Sequence, residues 1–280
     1  MSAMTTLTER LGYGSGSRVL IVNADELGFC HAANVGVYES LRAGGATSAS
    51  LMVPCPWGRE AAARYRGEDI GVHLTLNADH ELYRWGPITH APSLLGGDAG
   101  FPETVEDVWD HADLDETRRE CRAQVERAIL WGFDVSHLDA HLTTLQLRPE
   151  FFDIYLELAI DFALPIRMLD ANLESRLGFP ATELARSAGA VFSDRSITLA
   201  AGSGRHELEA TLAALEPGVT ELHLRPAIDS PELRALTDDW GERARDYELL
   251  CGKPNLGQLA EEAGATVIGF RALRHLARSS

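Results

Sequence analysis

The chain has 280 residues, 45% of them hydrophobic and 24% charged, which suits one globular α/β domain and excludes global disorder. Its formal net charge of −17 disfavours binding to nucleic acid or to an anionic membrane surface. The four cysteines are far apart, no signal-peptide pattern opens the chain, and no apolar run has membrane-spanning length. We therefore expect a cytoplasmic protein with reduced thiols and no membrane partner.

Strand and helix patterns alternate along the chain. Residues 1–17 are polar and glycine-rich and predict a flexible N-terminal tail. Strands are predicted at 18–25, 49–53, 69–77, 133–139, 165–169, 219–224 and 266–270, and helices at 31–42, 58–66, 115–130, 149–162 and 231–249. This alternation predicts a single (β/α) barrel-like domain over 18–280. Residues 78–103 have neither period and predict a long loop that covers a substrate site.

Two adjacent carboxylates, Asp25 and Glu26, stand where the first predicted strand ends. In a barrel the carboxyl ends of the strands form the active-site face. A turn that begins at Asp25 would let one carboxylate bind a metal ion while the other handles protons. An acidic pair at a turn can equally cap a helix or lie in a solvated loop.

A histidine lies on the polar face of the strand predicted at 69–77. Apolar residues there alternate with His73, Thr75 and Asn77, so the period of two separates them from the hydrophobic layer. Such a histidine is either a hydrogen-bonded core residue or a metal ligand, and the second interpretation needs a partner.

The segment 136–144 is the most informative. His137, Asp139 and His141 alternate with apolar residues, so a strand would turn all three to one side. Four residues of strand span about 13 Å, too far for both histidines to bind one ion at roughly 2.0–2.1 Å. We select His141, nearer the strand's end, as the ligand, with Asp139 or His137 as an orienting group or proton shuttle. On a helix the two histidines could bind zinc together.

Glu221, His223 and Arg225 alternate in the same way on a later strand that ends at Pro226. An antiparallel strand could expose such a face to water. A (β/α) pattern buries both faces of its strands, so these charged groups would need partners there. We therefore expect them at the site.

Six segments in one order along the chain make the sequence resemble the YdjC/ChbG/HpnK family of carbohydrate deacetylases. The resemblance covers nearly the whole chain from residue 18, and several motifs in order are more specific than any single one. The segments are 22–28, 47–53, 71–76, 137–141, 165–167 and 221–226.

The resemblance implies a distorted TIM-barrel-like fold, a divalent metal ion (Mg²⁺ or Zn²⁺), and hydrolytic removal of an acetyl group from an N-acetylated sugar. It makes Asp25 the general base and His73 and His141 metal ligands. Glu26 would stand where the family has a second aspartate as ligand. Arg167 would contact the substrate or support a ligand.

Two positions depart from the family pattern. Glu26 keeps the negative charge but extends the carboxylate by one methylene, which could shift the metal position or preference. Arg225 stands where the family has a histidine, and His223 lies two residues earlier on the same face. His223 could replace that histidine as general acid, or Arg225 could stabilise an oxyanion.

The resulting hypothesis is metal-assisted amide hydrolysis, with Asp25 accepting the proton of water and His223 protonating the leaving amine. One alternative is a catalytically inactive homologue that binds metal and sugar. Another is a metallohydrolase acting on a different bond, although the acidic charge and the absence of a phosphate-cradling glycine-rich motif disfavour phosphate esters. The expected partner is a small N-acetylated sugar, and a homodimer is compatible with the sequence.

Overall fold

The computed structural model describes residues 5–97, 99–200 and 202–279. The strands are β1 Arg18–Leu27, β2 Ser48–Leu51, β3 Ile70–Leu74, β4 Leu138–Ala140, β5 Arg195–Thr198, β6 Gly218–Leu224 and β7 Thr266–Ile268. The helices are α1 Leu7–Arg10, α2 His31–Ala43, α3 Gly58–Arg64, α4 Val105–His111, α5 Leu114–Leu130, α6 Pro149–Asp161, α7 Ala171–Glu174, α8 Ala181–Ser187, α9 Arg205–Ala213, α10 Pro231–Leu236, α11 Trp240–Cys251, α12 Leu256–Glu262 and α13 Phe270–Ala277. Single 3₁₀ turns lie at Pro92–Leu94 and His141–Thr143.

The strands form a curled parallel sheet in the order β4-β3-β2-β1-β6-β5, and β7 pairs with β1. Ile166 adds a single parallel bridge to β4 at Leu138. Because these pairings are all parallel, the carboxyl ends of the strands meet at one edge of the sheet. The predicted α/β class and distorted barrel-like fold are confirmed.

The two faces of β1 belong to different hydrophobic clusters. Leu20 and Val22 belong to the main core, whereas Val19 and Ile21 pack with Phe270 of α13 in a smaller cluster. Strand alternation puts Asp25 on the face of Val19 and Ile21. Helix α13 therefore fills the amino-terminal end of this face, and the polar residues occupy its carboxyl end.

Several element boundaries differ from the sequence predictions for local reasons. The strand predicted at 133–139 shrinks to β4, in part because the Val135 carbonyl accepts from Arg274. Around 165–169 only the Ile166 bridge forms. The helix predicted at 231–249 divides into α10 and α11 at Thr237, which is extended and donates to Asp239, a side-chain bond that competes with the helix. The prediction missed β5 and the helices α4, α7, α8, α9, α12 and α13.

The segment predicted as a flexible tail contains a helix. Residues 1–4 lie outside the described residues, but α1 follows with a capping box between Thr6 and Glu9. Leu7, Leu11 and Tyr13 pack against the smaller hydrophobic cluster, which explains why this segment is fixed. None of the helices within the described ranges combines the length and apolar composition needed to cross a bilayer.

We predict that Gly71→Ala destabilises the fold, because a Cβ on this β3 residue would lie 2.5 Å from His137 Nδ1 and from the His137 carbonyl oxygen. Overpacking of this kind costs about 1–3 kcal/mol, measured as the free energy of unfolding in urea. Gly241→Ala is the control, since its Cβ would meet nothing within 4 Å. Equal stabilities of the two variants would contradict this account of the β3–β4 packing.

Candidate active site

A buried arginine lies at the centre of the carboxyl edge of the sheet. Arg167 donates from Nη1 to Asp25 Oδ2 at 2.8 Å and Asp139 Oδ2 at 2.7 Å, and from Nη2 to Asp25 Oδ1 at 2.7 Å. Its Nε donates to Glu221 Oε1 at 2.6 Å. One guanidinium thus joins carboxylates from β1, β4 and β6, and each of these buried charges needs such a partner.

Burial and Arg167 shift the pKa values of these acids in opposite directions. Burial raises the pKa of Asp25, but Arg167 and His223 more than offset it, so the pKa lies well below the usual value. Burial likewise raises the pKa of Asp139, and Arg167 and His73 bring it below normal. For Glu221 burial prevails over Arg167 and the pKa is raised. Asp25 and Asp139 are therefore held ionised at neutral pH.

Two histidines face each other beside this cluster, each with a carboxylate behind it. His73 Nδ1 lies 2.5 Å from Asp139 Oδ2, and His141 Nε2 lies 2.9 Å from Asp79 Oδ1. In a neutral ring that donates to its carboxylate, the opposite nitrogen carries the lone pair, and this nitrogen is Nε2 in His73 and Nδ1 in His141. These two nitrogens are 3.2 Å apart.

The gap between those nitrogens suits a cation. Two imidazole nitrogens bound to one tetrahedral ion at roughly 2.0–2.1 Å would themselves be about 3.3 Å apart, close to the observed separation. A carboxylate behind each imidazole is the usual arrangement around metal-ligating histidines. Although burial lowers the pKa of His73, Asp139 and Asp25 raise it overall. The donor set therefore fits a divalent metal ion.

Asp25, His73 and Asp139 also lie close enough to hold an ion, with one ligand atom of each within 4.8 Å of the others. However, Arg167 Nη1 already donates to both of these aspartates and balances their charge. The nitrogen pair of His73 and His141 is therefore the better metal position on electrostatic grounds.

Glu26 lines the same cavity but is paired with an arginine. Its φ of 67° is unusual for a residue with a side chain and directs the carboxylate toward α11, where Arg243 Nη1 lies 2.5 Å from Oε2. Arg225 is 3.8 Å from Oε1 and 3.0 Å from Asp239. Burial raises the pKa of Glu26, but Arg243 and Arg225 lower it overall.

His223 lies beside Asp25 and lines the same cavity. Its Nδ1 lies 3.4 Å from Asp25 Oδ2, and its Nε2 lies 2.8 Å from Thr198 Oγ1 on β5. These groups surround a cavity of about 360 Å³. Leu142 and Thr143, which follow His141, have positive φ values of 50° and 55°, and such strained residues are common at functional sites.

His137 is not brought to this cavity. Its ring stacks on Phe270 of α13 with centroids 3.9 Å apart, and Nδ1 lies 2.9 Å from Ser136 Oγ. Burial lowers its pKa to about 3, so the ring is neutral. His137 shares the face of Asp139 but lies nearer the amino-terminal end of the sheet, which separates it from His141.

Sequence reasoning missed two side chains that complete the site, Asp79 and Arg243. Asp79 comes from the long loop after β3. Burial raises its pKa, but His141 lowers it by more, so the pKa lies below the usual value. Arg243 lies on α11 and is almost fully buried. Neither belongs to an alternating strand, and the only signal for Asp79 is its position just after the strand that carries His73.

A curled parallel sheet with aspartates and paired histidines at its carboxyl edge places these residues where barrel folds carry their active sites. The family model described as YdjC-like protein matches residues 19–261. The chain belongs to the YdjC-like family.

Named relatives agree with this family, and a solved structure shares the fold. The chain is 37% identical over 251 residues to a carbohydrate deacetylase of Thermus thermophilus, covering 87% of this chain and 90% of the relative. It is 28% identical over 242 residues to a carbohydrate deacetylase of Thermoanaerobacter pseudethanolicus, covering 84% and 92%. A crystal structure from Enterococcus faecalis V583, provisionally named as a cellobiose-phosphate cleavage protein, superposes with a TM-score of 0.80 at 23% identity, covering 92% of this chain and 99% of that one. The structural match supports the fold.

We predict that Arg167→Met lowers the free energy of unfolding by about 3–5 kcal/mol at pH 8, because it leaves buried carboxylates unpaired. In the wild type the lowered pKa values of Asp25 and Asp139 stabilise the fold above the ordinary aspartate pKa, and this stability is lost as pH falls toward the folded values. Without Arg167 burial raises both pKa values, so the ionised forms become costly as pH rises.

The loss caused by Arg167→Met should therefore be smaller at pH 5 than at pH 8, measured by urea unfolding at both values. Arg122→Met is the control, because Arg122 makes an ion pair with Asp161 at the surface, and such pairs contribute at most about 1 kcal/mol. A pH-independent loss for Arg167→Met would contradict the charge-balancing role.

Proposed function

We propose that this chain is a metal-dependent deacetylase that hydrolyses the acetamide group of an N-acetylated sugar or oligosaccharide. The observation that carries the proposal is the pair of carboxylate-backed histidine nitrogens 3.2 Å apart, in the same cavity as Asp25 and His223. The identity to named carbohydrate deacetylases over most of the chain supports the substrate class. The cytoplasmic location and the homodimer remain predictions.

The proposed metal ligands are His73 through Nε2 and His141 through Nδ1. Glu26 lies in the same cavity and would join them by exchanging its bond to Arg243. Imidazole nitrogen favours Zn²⁺, whereas Mg²⁺ prefers oxygen, so Zn²⁺ is the first ion to test. When bound, the ion would supply a Lewis acid for the acetyl carbonyl and lower the pKa of water.

Asp25 and His223 would move the protons. Asp25 is ionised at neutral pH, so it needs no prior deprotonation to accept the proton of the attacking water. His223 would donate a proton to the leaving amine, since breaking the amide bond requires an amine leaving group. With 3.4 Å between His223 Nδ1 and Asp25 Oδ2, the proton held by Asp25 could then return to His223.

We predict that Asp25→Asn lowers kcat for acetate release from N-acetylglucosamine oligomers by about 10²–10⁴-fold, because it removes the general base. Metal content, measured by elemental analysis, should stay near that of the wild type. Glu221→Gln also removes a carboxylate charge from Arg167 and should lose less than tenfold, which separates proton transfer from disruption of the arginine cluster. Unchanged kcat in Asp25→Asn would remove Asp25 from the mechanism.

We predict that His73→Ala combined with His141→Ala abolishes stoichiometric Zn²⁺ binding and acetate release together. Chelator treatment of the wild type should stop acetate release, and added Zn²⁺ or Mg²⁺ should restore it. His206→Ala is the control, because His206 is exposed and does not line the cavity. Metal binding by the wild type without turnover on acetylated sugars would favour the inactive, sugar-binding homologue.

A further inference from the structure

The long loop after β3 sends a carboxylate to the histidine pair. Asp79 Oδ1 accepts from His141 Nε2 at 2.9 Å, in the same way that Asp139 accepts from His73. Asp139 lies in strand β4 of the sheet, whereas Asp79 belongs to an irregular segment. One of the two histidines is therefore oriented from outside the sheet.

The base of this loop is fixed to the segment that carries His141. The Asn77 amide nitrogen donates to the Thr104 carbonyl at 2.7 Å, and its amide oxygen accepts from Thr144 Oγ1 at 2.6 Å. Trp85 Nε1 donates to the Asn77 carbonyl at 2.8 Å. Because Thr144 lies three residues after His141, these bonds hold Asp79 and His141 in register.

The aromatic side chains of the loop strengthen this arrangement. Tyr83 donates its hydroxyl to the Phe29 carbonyl at 2.7 Å, and the rings of Tyr83 and Trp85 pack edge-on against Phe29. Phe29 follows the β1 residues of the site by a few positions. The loop is thus attached to the barrel on both sides of Asp79.

His141 itself needs external support. It is followed by Leu142 and Thr143, both with positive φ, and it lies past the end of β4, where the regular ladder no longer fixes its direction. The bond to Asp79 holds its ring with Nδ1 toward His73 Nε2. A negative carboxylate behind an imidazole also increases the basicity of the nitrogen that binds a metal.

We propose that Asp79 is a positioning residue of the metal site, and that it couples loop 78–103 to metal binding. This inference rests on the proposed metal position between His73 and His141. Linkage makes the coupling reciprocal. Asp79 should strengthen metal binding at His141, and bound metal should stabilise the loop through Asp79.

The test measures Zn²⁺ affinity by competition with a chromophoric chelator, together with hydrogen exchange of the loop amides. Asp79→Ala should raise the Kd for Zn²⁺ by about 10–100-fold, and Asp79→Asn by less, because its amide oxygen still accepts from His141. Zn²⁺ should slow exchange in loop 78–103 of the wild type and not in Asp79→Ala. Asp110→Asn, an exposed carboxylate on α4, should leave both measurements unchanged.

A Kd for Asp79→Ala within twofold of the wild type, with the same loop protection on adding Zn²⁺, would overturn the positioning role. If Asp79→Ala does not fold, Asp79→Ser, which also removes the carboxylate from His141, decides by the same limits. A lower Tm of the metal-free variant with an unaltered Kd would also overturn it, since that pattern is purely structural. A wild type that binds no Zn²⁺ would instead contradict the proposed metal centre. Failure of the positioning role and failure of the metal centre are therefore distinguishable.

Discussion

Charge compensation by Arg167 is the constraint on which the site depends. Asp25, Asp139 and Glu221 converge because parallel strands end at a common edge, and three buried carboxylates at that edge would repel one another. The guanidinium offers its donors in a fixed planar fork, so it neutralises the acids and also sets their directions. Asp139 is thereby directed to His73, and Asp25 to His223. His73 and the proposed proton-transfer pair of Asp25 and His223 are therefore oriented from one buried cation, whereas His141 is oriented by Asp79.

Along β1, the residues that pack in the hydrophobic core and the residues that belong to the site lie at opposite ends of the strand. On the face of β1 that carries Asp25, the amino-terminal residues Val19 and Ile21 pack under Phe270, whereas the carboxyl-terminal residues are polar. His137 shows that position along the strand decides whether a side chain reaches the cavity. An imidazole can bind a metal ion, but His137 lies two residues before Asp139 along the chain. There its ring packs against Phe270, and burial keeps it neutral. The same residue type two residues after Asp139 reaches the cavity as His141.

Strand alternation explains what could be predicted from the sequence. His73, Asp139 and His223 each alternate with apolar residues, and that period alone assigns them to one face of a parallel sheet. The sequence could not indicate Asp79 or Arg243, because a loop and a helix bring them to the site and no local period marks them. It also could not show that Glu26 pairs with Arg243, which is 217 residues away along the chain. Short elements such as β5 and α13 were missed because they contain few residues, and short elements depend mainly on tertiary packing for their stability.

The additional methylene of Glu26 extends its carboxylate toward Arg243. With its positive φ, the side chain reaches Arg243, which also binds Asp239 and lies over the Phe29 ring. Two arginines thus balance two separate acid groups, Arg167 on the strands and Arg243 on α11. A cation at the histidine pair would meet carboxylates that are already compensated, so its affinity would depend mainly on the two imidazoles and on the carboxylates behind them. Recruitment of Glu26 as a third ligand would require the metal to compete with Arg243, which makes the strength of that ion pair a determinant of metal affinity.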